Sequence, residues 1–186
     1  MVGFINILLI LIIILTIVLF WILAVKTDIL RDPGTCKDPN GKNSFSLGRT
    51  QFGIWAVIIF CTFICLLTLK KDDPGEVEFT ESVAILLGIS AGTTVLSRSI
   101  DGQSPTLRIK NRAFGDGCSR GFLRDILSDS NGVSVHRFQQ VLFTILLIYV
   151  FIHSTIKISN FPDIDGYLLT LSGISSGGYL GIKISE

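Results

Sequence analysis

Charge is scarce in this chain. Of its 186 residues 17% are Asp, Glu, Lys or Arg and 48% are apolar, and the mean hydropathy is +0.60. A soluble domain carries about 25% charged residues, so this balance points away from an ordinary water-soluble fold. Residues 3 to 25 hold no charge at all, and the later apolar stretches hold none except Lys157 at the edge of one. That absence removes the acidic and basic side chains that mark most ion and proton paths across a bilayer.

Catalytic and metal-binding signatures are missing as well. The four cysteines contain no Cys-x-x-Cys pair, and His136 and His153 have no ligand-spaced companions. Cys61 and Cys65 lie one helical turn apart in an apolar run, where small thiols serve as packing residues. Cys36 and Cys118 fall in loops that the charge pattern below assigns to the cytoplasm, a compartment that disfavours disulfides. Asp129-Ser130-Asn131-Gly132 fails as a calcium loop: with Gly132 at position six, Leu127 and Phe138 occupy positions that require carboxylates. No glycine-rich phosphate loop and no nucleophile elbow is expected. The chain is read as no enzyme, with no metal, no cofactor and no nucleic-acid partner.

What the chain does have is hydrophobic length. Residues 3 to 25 span roughly 34 Å as a helix, enough for a hydrocarbon core of about 30 Å. A cleaved signal peptide is the weaker reading, because the run is too long, no basic segment precedes it and no Ala-x-Ala site follows. Four further stretches, at about 52–69, 82–97, 139–157 and 167–182, complete the expected all-α architecture of five transmembrane helices. The third and fifth stretches have only about 16 residues, some 24 Å of helix, and call for polar flanks or local bilayer thinning.

The loops give the orientation. With the N-terminus outside, thirteen of the sixteen Lys and Arg residues fall on the cytoplasmic side and only Lys70, Lys71 and Lys157 outside. That is a firm positive-inside bias. It also rejects a re-entrant loop at 82–97, which would put the seven basic residues between Arg98 and Arg137 on the outer face. The expected location is a bacterial inner membrane, multi-pass, with the C-terminus in the cytoplasm.

Two segments of the chain repeat in order. Asp38-x-Asn40-Gly41 returns as Asp129-x-Asn131-Gly132, and Ser46-x-x-Arg49-x-Gln51 as Ser134-x-x-Arg137-x-Gln139. Gly88-Ile89-Ser90-Ala91-Gly92 returns as Gly173-Ile174-Ser175-Ser176-Gly177, and the return helices end in Arg98 and Lys183. The division is an anchor helix at 1–30, a first hairpin at 38–100, a cytoplasmic loop at 101–128 and a second hairpin at 129–186. Two helices per unit make the repeats parallel, related by an axis along the membrane normal. Asp-x-Asn-Gly is turn chemistry, and Ser46 and Ser134 are expected helix N-caps through their hydroxyls. Arg49 and Arg137 are placed at headgroup depth, with Gln51 and Gln139 a half-turn further in, where a glutamine hydrogen bond between helices is worth about 0.6–2 kcal/mol. Arg49, Gln51, Arg98, Arg137, Gln139 and Lys183 thus form the expected cytoplasmic interface.

The run Ser46-Leu47-Gly48-Arg49-Thr50-Gln51, followed by Gly88-Ile89-Ser90-Ala91-Gly92-Thr93, resembles bacterial polytopic inner-membrane proteins with no assigned role. The likeness covers about residues 38 to 186. It implies a prokaryotic inner membrane and no activity.

Small residues fall every fourth position on the return helices: Ala84, Gly88 and Gly92 on one, Gly173, Gly177 and Gly181 on the other. This spacing lets helix backbones approach closely in lipid. Beside them run Ser90, Thr93, Thr94 and Ser97, then Ser172, Ser175 and Ser176. They either line a pore or cavity or bond back to their own helices and cement the packing, and the second reading is favoured. Ser176-Gly177-Gly178-Tyr179-Leu180-Gly181 lacks the order of a potassium filter. The stretch Gly121 to Leu127 is expected as a short amphipathic helix on the membrane surface, within a loop at 99–137 that either anchors to anionic lipid or docks a cytoplasmic partner. The leading functional expectation is a homo-oligomeric, channel-like protein in the lipid bilayer. The rival is a non-conducting scaffold or signalling and defence effector whose loop binds a partner.

Overall fold

The structure is a computed structural model that describes residues 2–32, 36, 41–70, 75, 77–102, 118–129 and 132–185. It is almost entirely helical. In chain order the elements are α1 (Val2–Lys26), α2 (Leu47–Leu69), α3 (Glu81–Gly102), α4 (Phe122–Leu127), β1 (Ser128–Asp129), β2 (Gly132–Val133), α5 (Val135–Ile158) and α6 (Gly166–Ser185). Four of these helices, over 7–26, 47–69, 81–100 and 135–158, are long and apolar enough to cross a membrane.

Helices α2, α3, α5 and α6 form a bundle in which α3 packs against both α2 and α6, and α6 against α5. Ser82 at the start of α3 meets Ile164 just before α6, and Ser97 near the end of α3 meets Tyr179 near the end of α6. These two helices therefore run side by side in the same direction. The pair α2 and α5 also runs parallel: Gln51 bonds Thr144 near their starts, and Leu66 and Thr155 line one shared cleft near their ends. Buried Trp55 and Phe151 meet edge to face between them at 5.7 Å, in a core with Ile59, Leu86, Leu147 and Phe161. Helix α1 stands apart, its spanning stretch unburied, and packs on the bundle chiefly along α2.

The helix ends obey local chemistry that differs in part from the sequence expectation. Ser46 and Ser134 do precede the first helical residues in extended geometry, yet neither hydroxyl makes a cap hydrogen bond. Their backbone carbonyls instead accept from Thr50 and Phe138, both at 3.0 Å. Asp165 is the side-chain cap that sequence reading missed, its Oδ1 accepting from the N–H of Tyr167 at 2.8 Å. Helix α5 stops at Ser159, whose left-handed backbone (φ 50°) closes the final turn. The return helices have 22 and 20 residues rather than about 16. Polar residues beyond Ser97 continue the helix, since nothing in Arg98-Ser99-Ile100 breaks it, and at about 1.5 Å per residue each reaches some 30 Å without bilayer thinning.

At one end the bundle carries a cap that includes residues 28–32, 36, 41–46, 118–129 and 132–134. Arg31 pairs with Phe45 and Asn43 with Cys118 as isolated antiparallel bridges, and the Ser119 N–H donates to the Lys42 carbonyl at 2.8 Å. Strands β1 and β2 pair antiparallel, with Gly132 at φ 117°, while residues 130–131 of the expected turn lie outside the described residues. The first turn of this kind, at Asp38 and Asn40, and the basic residues Arg108, Lys110 and Arg112 also lie outside them. Helix α4 forms as expected but does not merely rest on a membrane surface. It buries Asp125 and Ile126 and seats Ile126 against Leu47 and Tyr179, leaving Phe122 and Leu123 exposed.

Helices gain no hydrophobic drive from meeting one another in lipid, so the core is held by packing. Phe151→Ala removes the one large side chain that meets both Trp55 and Phe161. Thermal or denaturant unfolding in detergent should show a loss of about 2 kcal/mol, the cavity cost at ~24 cal/mol per Å³ for a void of roughly 100 Å³.

Candidate functional site

The four-helix bundle is polar at its cap end. On α5 the inward stripe is buried Arg137, Gln140, Leu147 and Phe151 with half-buried Thr144, spaced three and four residues apart; on α2 it is Gln51, Trp55 and Ile59. These spacings put each set on one helix face. Gln140, not Gln139, is therefore the inward glutamine. Gln139 lies two residues from Arg137, on the opposite side of the helix, and is exposed.

Gln140 joins three helices. Its Nε2 donates to Ser176 Oγ of α6 at 2.7 Å and to Gln51 Oε1 of α2 at 3.3 Å. Gln51 Nε2 donates in return to Thr144 Oγ1 at 2.6 Å and to the Gln140 carbonyl at 3.4 Å, and Thr144 Oγ1 donates to that same carbonyl at 2.9 Å. Around this network Gln140 Oε1, Thr50 Oγ1 and Ser175 Oγ are buried and find no partner among the described residues.

The hydroxyls divide as the favoured expectation had it only in part. Thr93 and Thr94 bond back to the carbonyls of Ile89 and Ser90 at 2.7 and 2.9 Å. Ser90, Thr93, Ser175 and Ser176 are buried inside the bundle, whereas Ser172 is half-buried. Both Gly-Ile-Ser-x-Gly segments carry the literal spacing of a nucleophile elbow, Gly-x-Ser-x-Gly. Ser90 and Ser175 nevertheless sit in mid-helix, and the elbow needs a sharp strand-to-helix turn.

The small residues face the other way. Ala84, Gly88, Gly177 and Gly181 are exposed and Gly92 is half-buried. A Cβ added at Gly88, Gly92, Gly177 or Gly181 would meet nothing within 4 Å, and one at Gly173 only the tip of Ile89 at 3.9 Å. The close contacts made by glycine in this chain lie elsewhere. At Gly48 a Cβ would stand 3.4 Å from Thr94, and at Gly53 2.9 Å from the ring of Phe20 on α1.

The basic residues expected at one interface are treated unequally. Arg137 is 8% exposed, with its guanidinium 5.4 Å from the ring centre of Tyr179, whose hydroxyl lies 3.4 Å from Ser97 Oγ. It does not snorkel. Arg49 is half-buried and Arg98 exposed, and both line a cleft beside α1. Lys183 lies in the last turn of α6, and its side chain is outside the described residues.

The cap has its own hub. Buried Asp125 accepts from the Phe45 N–H at 3.1 Å, Ser119 Oγ at 2.6 Å and the Arg120 N–H at 2.9 Å. Arg31 stacks over the Phe45 ring at 3.8 Å and donates to the Asn43 carbonyl. Cys36 and Cys118 are joined as a disulfide with their Cα atoms 4.5 Å apart. This corrects the reading of both as unpaired thiols: 82 residues of chain separate them, and only the folded cap brings them together. Cys61 and Cys65 are free.

No group of three or more His, Cys, Asp or Glu that would hold a metal occurs among the described residues. No protein-family model, curated protein or solved structure matches the chain.

Gln140→Ala deletes the bridge to two helices and leaves Gln51 Oε1 and Ser176 Oγ without their donor. Unfolding in detergent should show a loss of about 1–3 kcal/mol. The double variant Gln51→Leu/Gln140→Leu should cost less than the two single changes together, because neither partner is then left buried and unpaired.

Proposed function

We propose that the chain is the protomer of a homo-oligomeric membrane scaffold that conducts no ions, with its cap turned to a partner. One observation carries this reading. The small-residue faces of α3 and α6 point out of the bundle with nothing packed against them, while the hydroxyls that would line a path are turned in. A seam along Ala84, Gly88 and Gly92, or along Gly177 and Gly181, is bordered by Ile85, Val95, Leu171 and Ile174, all exposed. Such a surface suits helix-to-helix contact in lipid better than water. Below the glutamines the interior is filled by Trp55, Ile59, Leu147 and Phe151.

The channel-like reading keeps one specific support. Gln140 Oε1, Thr50 Oγ1 and Ser175 Oγ are buried polar atoms without partners among the described residues, which is what a hydrated or ion-binding interior offers. In either case we take α6 as a fifth crossing, since it runs alongside α3 from Ser82 to Ser97. The matching directions of α2 with α5 and α3 with α6 support an internal duplication of a helical hairpin, as in the bacterial inner-membrane proteins that the motifs resemble.

Purified protein should migrate as an oligomer by light scattering, and Gly88→Leu/Gly177→Leu should shift it to the monomer with helicity unchanged. Liposomes carrying the wild type should show no ion flux above empty ones. Flux that is lost in Gly177→Leu while the oligomer persists would favour the conduit instead.

For orientation, two signals conflict. The basic loops put the cap in the cytoplasm, whereas a disulfide is at home in an oxidising compartment. We follow the charge count, because it rests on thirteen residues and because backbone pairing at Cys118 and Ser119 holds the cap without a covalent bond. In the cytosol the Cys36–Cys118 disulfide is open to reduction, and the cap keeps its backbone pairing when it opens. Thirteen basic residues on that side predict that an impermeant maleimide labels Cys36 and Cys118 in permeabilised cells and not in intact ones. Labelling in intact cells after reduction would reverse the orientation.

A further inference from the structure

We infer that the cleft between α1, α2 and α3 is a binding site for one anionic phospholipid. The cleft holds about 460 Å³ and is walled by Phe20, Leu30, Phe52, Ala56, Val57 and Val95. Its only cationic side chains are Arg49 and Arg98, at the cap end. Arg49 is the third residue of α2, and Arg98 follows Ser97 near the end of α3, so both stand at one membrane boundary. Among the described residues neither arginine has an ion-pair or hydrogen-bond partner.

The architecture selects this occupant. Guanidinium groups bind phosphate oxygens through paired N–H donors, and a basic pocket between transmembrane helices suits an anionic headgroup. From Arg49 to Val57 the apolar wall descends about 12 Å along α2, so the headgroup site continues into a site for acyl chain. A free phosphate would leave that wall uncovered. A peptide would have to bring its backbone polar groups against apolar side chains in the hydrocarbon, at a cost of several kcal/mol for each group left unsatisfied. The side wall is α1, which buries no residue between Ile7 and Lys26 and therefore already faces lipid. Two glycines shape the cleft: Gly53 lets Phe20 lie against α2, and Gly48 lets α3 come close at the mouth beside Thr94.

The test uses the full chain purified in a mild detergent, with native mass spectrometry and titration of phosphatidylglycerol, phosphatidylcholine and glycerol phosphate. One phosphatidylglycerol per protomer should be retained, with phosphatidylcholine much weaker and glycerol phosphate not bound. Arg49→Gln/Arg98→Gln should weaken phosphatidylglycerol about thirtyfold, at roughly fivefold for each basic residue. Ala56→Trp, an exposed position that fills the cleft and leaves both arginines, should weaken it as well while helicity and melting stay unchanged. Equal retention of the two lipids, wild-type binding by the double arginine variant, or glycerol phosphate binding as tightly as the lipid would each overturn the proposal. An unchanged oligomer in the arginine variant would leave the scaffold reading intact whatever the lipid result.

Discussion

The bond between Gln51 and Gln140 is the constraint on which the bundle depends. Lipid tails are as apolar as leucine, so bringing one helix against another releases no water-driven free energy. Contacts that lipid cannot supply must choose the partner and the rotation. Gln140 does this for three helices at once, reaching Gln51 on α2 and Ser176 on α6 from its own place on α5. Turning α5 by one residue would carry Gln140 into lipid and bring in Gln139 or Val141. It would also swing Arg137 away from Tyr179 and Phe151 away from Trp55, because all sit on the same stripe. The polar bridge thus fixes which aromatic residues meet below it and which arginine is covered above it.

A second division follows from that rotation. On α3 and α6 the hydroxyls turn inward, where Ser176 completes the glutamine network and Ser97 meets Tyr179. The glycines, one or two residues away around the helix, are then obliged to face out. The same alternation of small and hydroxyl residues that suggests a lined pore when read along the sequence becomes two surfaces of different use in space. The inner one is satisfied within the chain except at a few atoms; the outer one leaves helix backbone uncovered.

Much of this fold was legible in the sequence because length and charge are strong signals in a bilayer. A helix forms over each expected stretch, four of them long and apolar enough to cross a membrane, and the short helix Phe122–Leu127 forms. The lapses have physical causes. Matching letters between repeats points to Gln139, but a helix advances 100° per residue and residue 140 is the glutamine that shares the face of Arg137 and Thr144. Serine at a cap position signals the helix start correctly, yet the carbonyl alone makes the contact. Asp125 looked like one charge in an amphipathic turn, and its three donors come from segments up to 80 residues away. The Cys36–Cys118 pairing is likewise a product of the folded cap, which spacing in the chain does not encode.

The leading helix accounts for the different fates of two arginines that occupy matching places. Arg137 and Arg49 each stand three residues after a serine that starts a helix. Beside Arg137 the cap end of α6 supplies Tyr179, and the guanidinium is covered by its ring. Beside Arg49 the corresponding wall is Thr94 and Val95 of α3, with no aromatic face, and α1 closes the far side through Phe20 against Gly53. One cation is therefore spent inside the protein, and its counterpart is held open at the edge of the lipid. An α1 with no charge before Lys26 and no buried residue from Ile7 onward serves as more than an anchor: leaning on α2, it makes a site on one half of a bundle whose other half has no such helix among the described residues.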